Sequence, residues 1–247
     1  MTNHPDIARQ GSALRRVKNH RSAPGAVVLA ACLFLLASPL LCAADAASVT
    51  FSLDFPGSDP EHYSISVQSD GHARYECSAR ISADSDDRTA YQTDFMVTDA
   101  ARSRIFELAA QAHYFADKLE SNNKKLAFTG VKKLAYHDGQ RNFTADYNFS
   151  QQPAVQQLTA LFQNVAATLE FGRRLEFYHR YQKLALDEEL TRMEDQARHG
   201  DLAELQAITP ILQEIYDDAS VINVVRARAQ RLMEMGKGGP KSAPAGH

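Results

Sequence analysis

The chain has 247 residues, 44% of them apolar and 23% charged, which is enough to bury a core and too apolar for a wholly disordered or collagen-like chain. Its formal charge of −3 hides an asymmetry: residues 1–44 hold five of the 27 basic side chains and one of the 30 acidic ones, leaving 22 against 29, or −7, for the rest. A body that acidic is a poor candidate for gripping phosphates, so no nucleic-acid partner is expected.

Arg9, Arg15, Arg16, Lys18 and Arg21 precede a stretch from Ser22 to Ala44 without one charged side chain, and small residues come after Pro39. Basic, then apolar, then small is the order of a secretory signal, with cleavage sites after Ala44 or Ala46. The same run, at roughly 20 apolar residues, is long enough to stay as an uncleaved single-pass anchor. Pro39 and the Ala-rich exit favour cleavage. Both readings leave the basic flank in the cytoplasm and export the body, periplasmic or secreted, so the membrane is a partner only through the N-terminal segment if it is retained. Leu29-Ala30-Ala31-Cys32 has the form of a lipoprotein box, but too little apolar sequence precedes it. Cleavage would remove Cys32 and Cys42 and leave Cys77 as the only thiol, which excludes an intramolecular disulfide. Cys77 alternates with Ala73 and Tyr75 and is expected to be buried.

Val49, Phe51, Leu53 and Phe55 alternate as in a half-buried strand, and so do Tyr63, Ile65 and Val67. Asp70-Gly71 then turns the chain into Ala73, Tyr75 and Cys77, because glycine accepts the positive φ of a tight hairpin. A loop at Asp84–Asp87 leads to a fourth strand through Tyr91, Thr93, Phe95 and Val97. At Thr98 or Asp99 a capped helix begins, burying Ile105, Leu108, Ala109 and Ala112. A second hairpin turns at Asp138-Gly139. Ser150 is expected to cap the next helix, with Pro153 in its first turn. Val155, Leu158, Phe162, Val165 and Leu169 form its seam. Continued, that register would bury Glu176, His179 and Lys183, so the seam must rotate towards Leu175, Tyr178 and Tyr181 or the helix must bend near Gly172. Gly200 closes a further helix, and Asp201 and Glu204 suggest a capping box for another, which Thr209-Pro210 kinks or splits. A last helix carries Ile222, Val225, Ala229 and Leu232.

The predicted fold is α+β: an antiparallel sheet of about six strands with helices packed on one face, followed by a C-terminal helical extension. The expected divisions are a signal peptide over 1–44, an α+β domain over 45–170, a helical extension over 171–235 and a disordered tail over 236–247. Tyr63-Ser64-Ile65-Ser66-Val67 running into Asp70-Gly71 and Arg74-Tyr75, together with Phe106-Glu107-Leu108-Ala109 and the hairpin after it, resembles a secreted bacterial α+β family of unknown function. The likeness covers about residues 48–170 and implies a fold without an activity.

No nucleophile elbow, phosphate loop, dinucleotide fingerprint, paired Cys-x-x-Cys or His-Glu-x-x-His motif is present, and no cofactor is expected. Glu176 and His179 share a helix face as carboxylate-bridged metal sites require, but such sites need a second copy of the motif, and there is one. His62, His113 and His137 each lie near an acid without evidence of convergence. The loop Asp84–Asp87 lacks the ligand spacing of a calcium hand. Arg173, Arg174, Tyr178, Arg180 and Tyr181 interleave charge and aromatic area, the composition of an interaction surface for a protein partner or the envelope surface. The sequence therefore favours an exported, non-catalytic interaction or binding module of the cell envelope. The alternative is a secreted hydrolase or metal-dependent enzyme using His and Glu residues.

Overall fold

The computed structural model describes residues 46–80, 88–121, 123 and 125–238. The expected signal segment, the acidic loop Asp84–Asp87 and the last nine residues of the tail lie outside the described residues.

Period-two alternation builds a single sheet. β1 (Ser48–Asp54), β2 (His62–Gln68), β3 (His72–Arg80), β4 (Arg88–Met96), β5 (Val131–His137) and β6 (Asn142–Tyr147) pair in the order β4-β3-β2-β1-β5-β6, every neighbour antiparallel. Val49, Phe51 and Leu53, then Tyr63, Ile65 and Val67, then Ala73, Tyr75 and Cys77 fall on one face and are buried, because residues two apart share a side of the pleat. The other face carries Thr50, Ser52, Ser64, Ser66, Arg74 and Glu76 and meets solvent. The first four strands run as a meander from the centre to one edge. The chain then returns through α1 (Asp99–Gln111) and lays the β5–β6 hairpin along the free side of β1. Helices cover one face, as expected.

Local chemistry explains the joints. Gly71 sits at φ +95° in the β2–β3 turn, a conformation closed to most side chains. Thr98 caps α1 by accepting from the Ala101 amide at 3.2 Å. Asp138 closes the β5–β6 turn by accepting from the amides of Gln140 at 2.9 Å and Arg141 at 2.7 Å. After α1 comes an arrangement that periodicity does not announce: His113, Tyr114 and Phe115 take φ of 50°, 56° and 67°, three left-handed residues in a row without a glycine. Phe115 is buried, Tyr114 packs on Tyr136 with ring centroids 4.6 Å apart, and the Arg141 guanidinium lies 3.8 Å from the Tyr114 ring centre. Asp138 in turn holds Arg141 at 2.9 and 2.7 Å.

α2 (Pro153–Tyr181) crosses the covered face diagonally. Its Thr159 bonds the Tyr147 hydroxyl on β6 at 2.6 Å, Phe162 stacks on Phe51 of β1 at 5.4 Å and 4°, and Glu170 reaches Tyr75 of β3. The N-cap is Gln152 rather than Ser150, whose hydroxyl accepts from the Gln152 amide at 3.3 Å, too early in the chain to cap. The seam from Val155 to Leu169 is buried as predicted. Beyond it the buried set widens to Glu170, Phe171, Gly172 and Leu175, because more helices cover the other flank. A Cβ on Gly172 would stand 2.6 Å from Ile208 Cγ2, so the missing side chain is where that isoleucine seats. The expected division at 170/171 falls inside this one helix.

α3 (Leu186–His199), α4 (Thr209–Asp217) and α5 (Asn223–Lys237) complete the helical part. Gly200 ends α3 in the left-handed conformation, φ +81°, as the sequence suggests. The capping box at Asp201 and Glu204 does not form. Glu204 is itself left-handed, φ 58°, and its carboxylate accepts from the Thr98 amide at 2.5 Å and hydroxyl at 2.9 Å, capping α1 across the fold. A 3₁₀ turn at Leu205–Ile208 precedes α4, so Thr209-Pro210 does split the helix. α5 continues through Gly236 to Lys237, past the expected start of the tail, because the absent Gly236 side chain lets the helix lie against Leu205.

Candidate functional site

The last turns of α2 meet the end of the β3–β4 hairpin over a buried carboxylate. The Glu170 side chain is 7% exposed. It accepts from the Tyr75 hydroxyl at 2.7 Å, the Cys77 thiol at 3.3 Å and Arg173 at 3.0 and 2.8 Å. Arg173 also donates to the Arg80 carbonyl at 3.1 Å. Arg174, on the other flank of the helix, lies 3.8 Å from Glu170 and donates to buried Glu189 at 2.6 Å. Burial and then the Glu170 charge push the Tyr75 hydroxyl far up and the Cys77 thiol up to about 12. A thiol so disfavoured as thiolate is a poor nucleophile, so Cys77 is a packing residue that donates a weak hydrogen bond.

Outside this cluster opens a cleft of about 590 Å³. Ala79, Arg80, Thr89 and Tyr91 form the sheet side, Arg173, Glu176, Phe177, Arg180 and Tyr181 the α2 side, and Pro210, Ile211 and Glu214 the α4 side. Tyr181 is 65% exposed, and Leu184 beyond it 95%. Among the described residues Glu176 has no hydrogen-bond partner; desolvation and then the nearby Glu214 charge raise its pKa, against the pull of Arg173. Burial and then the Glu176 charge push the Tyr91 hydroxyl up to about 12. The cleft thus joins aromatic area to two acids and two arginines, Arg80 and Arg180, that make no ion pair among the described residues.

Of the residues singled out from the sequence, Arg173, Arg180 and Tyr181 line the cleft. Arg174 faces Glu189, and Tyr178 is partly buried against the core. Glu176 and His179 open onto the same cleft without bonding each other. The His179 ring bonds Asp218 at 3.0 Å and stands 3.9 Å from Glu214, while Lys183 shares Asp218 at 2.5 Å. The remaining histidines are dispersed. His62 pairs with Asp54 at 2.6 Å and His113 with Asp117 at 2.7 Å. His137 faces Ser48 at the far end of β1 from Asp54, about 20 Å away at strand rise. Among the described residues no group of three or more His, Cys, Asp and Glu is placed to hold a metal, and no helix is long and apolar enough to cross a membrane.

Glu170, Tyr91 and Glu214 are not legible as site residues in the sequence. The pointer to Glu170 is the Tyr75 hydroxyl, one of several tyrosine hydroxyls on the covered sheet face, since a buried hydroxyl needs a partner. No family model matches the chain, and no curated protein matches it in sequence.

Proposed function

We propose that this chain is an exported, non-catalytic interaction module of the cell envelope that engages a protein partner through the last turns of α2. The observation that carries the reading is the cleft itself. Phe177, Arg180 and Tyr181 stand there beside Tyr91 and Ile211, which brings aromatic and guanidinium groups, the side chains that dominate interface energies, around one depression. Leu184, three residues beyond Tyr181 in the chain, adds an exposed apolar side chain. The basic flank and apolar run before Ala44 support placement outside the cytoplasm.

Arg173 and Arg174 are occupied by Glu170 and Glu189, so reversing their charge would disturb the fold as well as the surface. The clean test is Arg180→Glu with Tyr181→Ala, because neither side chain holds the core. Cross-linking in the envelope fraction should lose its protein adducts in this double variant while circular dichroism stays that of the parent. An unchanged adduct pattern would refute the reading.

A further inference from the structure

β4 ends the sheet on its side and is nine residues long. Among the described residues no backbone hydrogen bond from another element reaches its outer edge. Such an edge offers alternate N–H and C=O groups to any passing strand, and proteins ordinarily blunt it with lysine, proline, a bulge or a covering element. β4 has no lysine or proline, and its register with β3 runs unbroken from His72–Met96 to Arg80–Arg88. The opposite edge differs. β6 is six residues long, and just past it the Asn148 amide donates to Glu120 at 2.6 Å and the Phe149 carbonyl accepts from the Ser121 amide at 2.9 Å.

The side chains along β4 are self-complementary. Its charged residues, Arg88 and Asp94, share the solvent face and lie equally far from Tyr91. A second β4 laid antiparallel about a two-fold axis at Tyr91 sets Arg88 of each copy opposite Asp94 of the other and Thr89 opposite Thr93. Opposite charges and paired threonines directly across are favourable cross-strand contacts. Moving the axis by one residue opposes Asp94 to Ala90, or Arg88 to Gln92, and loses the charge pairs. A slip that pairs unlike faces would bring solvent-facing residues onto the covered side. Both charged groups have contacts within the chain, Arg88 with Glu61, just before β2, at 2.7 Å and Asp94 with Arg74 of β3 at 2.7 Å. A guanidinium has five donors and a carboxylate about four acceptor positions, so each has capacity left.

We propose that the chain forms a two-fold dimer by pairing β4 with β4 of a second copy, joining the two six-stranded sheets into one. Thr89 and Tyr91 also line the cleft, so the two clefts flank the axis and a partner could meet both at once. The proposal does not depend on what the cleft binds.

The test is sedimentation equilibrium of the full chain in mild detergent, which suits it whether or not the N-terminal segment is retained. The parent should show twice the chain mass. Arg88→Asp and Asp94→Arg should each weaken the dimer by about tenfold or more, since each opposes like charges at both ends of the pairing. Mixing the two variants should restore it, and so should combining both substitutions in one chain. Neither rescue rebuilds Arg88–Glu61 or Arg74–Asp94, so recovery reports contact between copies rather than repair within one. Circular dichroism establishes that each variant is folded. A monomeric parent, a dimer indifferent to both single substitutions, or a mixture that stays monomeric would each overturn the proposal.

Discussion

The two halves of α2 are held by different physics. From Val155 to Leu169 the helix lies on the sheet through Val155, Leu158, Phe162, Val165 and Leu169, with the stacked Phe162–Phe51 pair at the centre. From Glu170 onward its neighbourhood contains the three buried carboxylates among the described residues, Glu170, Glu189 and Glu194, each answered by arginine. Glu194 alone bonds Arg198 at 2.6 Å, Arg228 at 3.1 Å and Arg231 at 2.8 Å, which ties α3 to α5. Apolar packing is non-directional and tolerates small shifts, whereas a buried ion pair demands one geometry and is costly to break from one side. The sheet half therefore supplies cohesion, and the clasps fix how the end of α2 sits on β3 and how α3 sits against α2 and α5.

The clasped half of α2 is most sensitive at Glu170. Glu170→Ala leaves Arg173, 13% exposed, without its carboxylate and the Tyr75 hydroxyl without its acceptor; a loss of about 3–5 kcal/mol is expected by urea unfolding. Phe162→Ala on the dry side should cost about 3–4 kcal/mol through the cavity it leaves, with the cleft geometry retained. If the alanine at 162 loosened the cleft and the one at 170 did not, the assignment of roles would be reversed. Gly172→Ala should destabilise by about 1–3 kcal/mol, although alanine favours helix, because the added methyl meets Ile208. A net gain would mean that Ile208 gives way freely.

The smallest effect is one of pH. The hydrogen bond from Arg231 holds the Glu194 carboxyl below its ordinary value of 4.5, with burial opposing and the charges of Arg231 and Arg198 assisting. Its folded pKa is depressed, so its contribution is fully present above about pH 4.5 and is lost as the pH falls through the lower folded value. Glu194→Gln should lower stability at neutral pH and flatten the acid limb of a stability–pH curve measured by thermal unfolding.

Legibility in the sequence divides along the same line. Strands, the Asp-Gly turns and the dry seam of α2 are written in periods of two and of three to four, so the fold class and the covered face can be read from residues such as Val49, Phe51 and Phe162. Periodicity assumes that a helix has one wet side. Past Leu169 α2 is covered on both flanks, and Glu170 becomes a core residue where the pattern calls for none. Glu204 misleads for a related reason: a capping box is a local motif, and this carboxylate instead bonds Thr98, the N-cap of α1, 106 residues earlier in the chain. Arg180 and Tyr181 are legible because exposed aromatic and basic residues together stand out by composition alone.

The left-handed turn at His113–Phe115 bears on the lifetime of the native state. That conformation costs about 1–2 kcal/mol per non-glycine residue, and it is offset in part by the burial of Phe115 and by the local bonds from the Phe115 amide to the Ala112 carbonyl and from the Ala116 amide to the His113 carbonyl. The long-range groups that hold it, Tyr136 and the Asp138–Arg141 pair, belong to β5 and the hairpin turn after it, later in the chain. The turn closes only on that hairpin, so its contacts are expected to form late, after the folding transition state. Loosening it, as Arg141→Ala would, should speed unfolding in stopped-flow traces and leave the refolding rate alone. It acts as a latch, closed after assembly and governing how long the assembled fold persists.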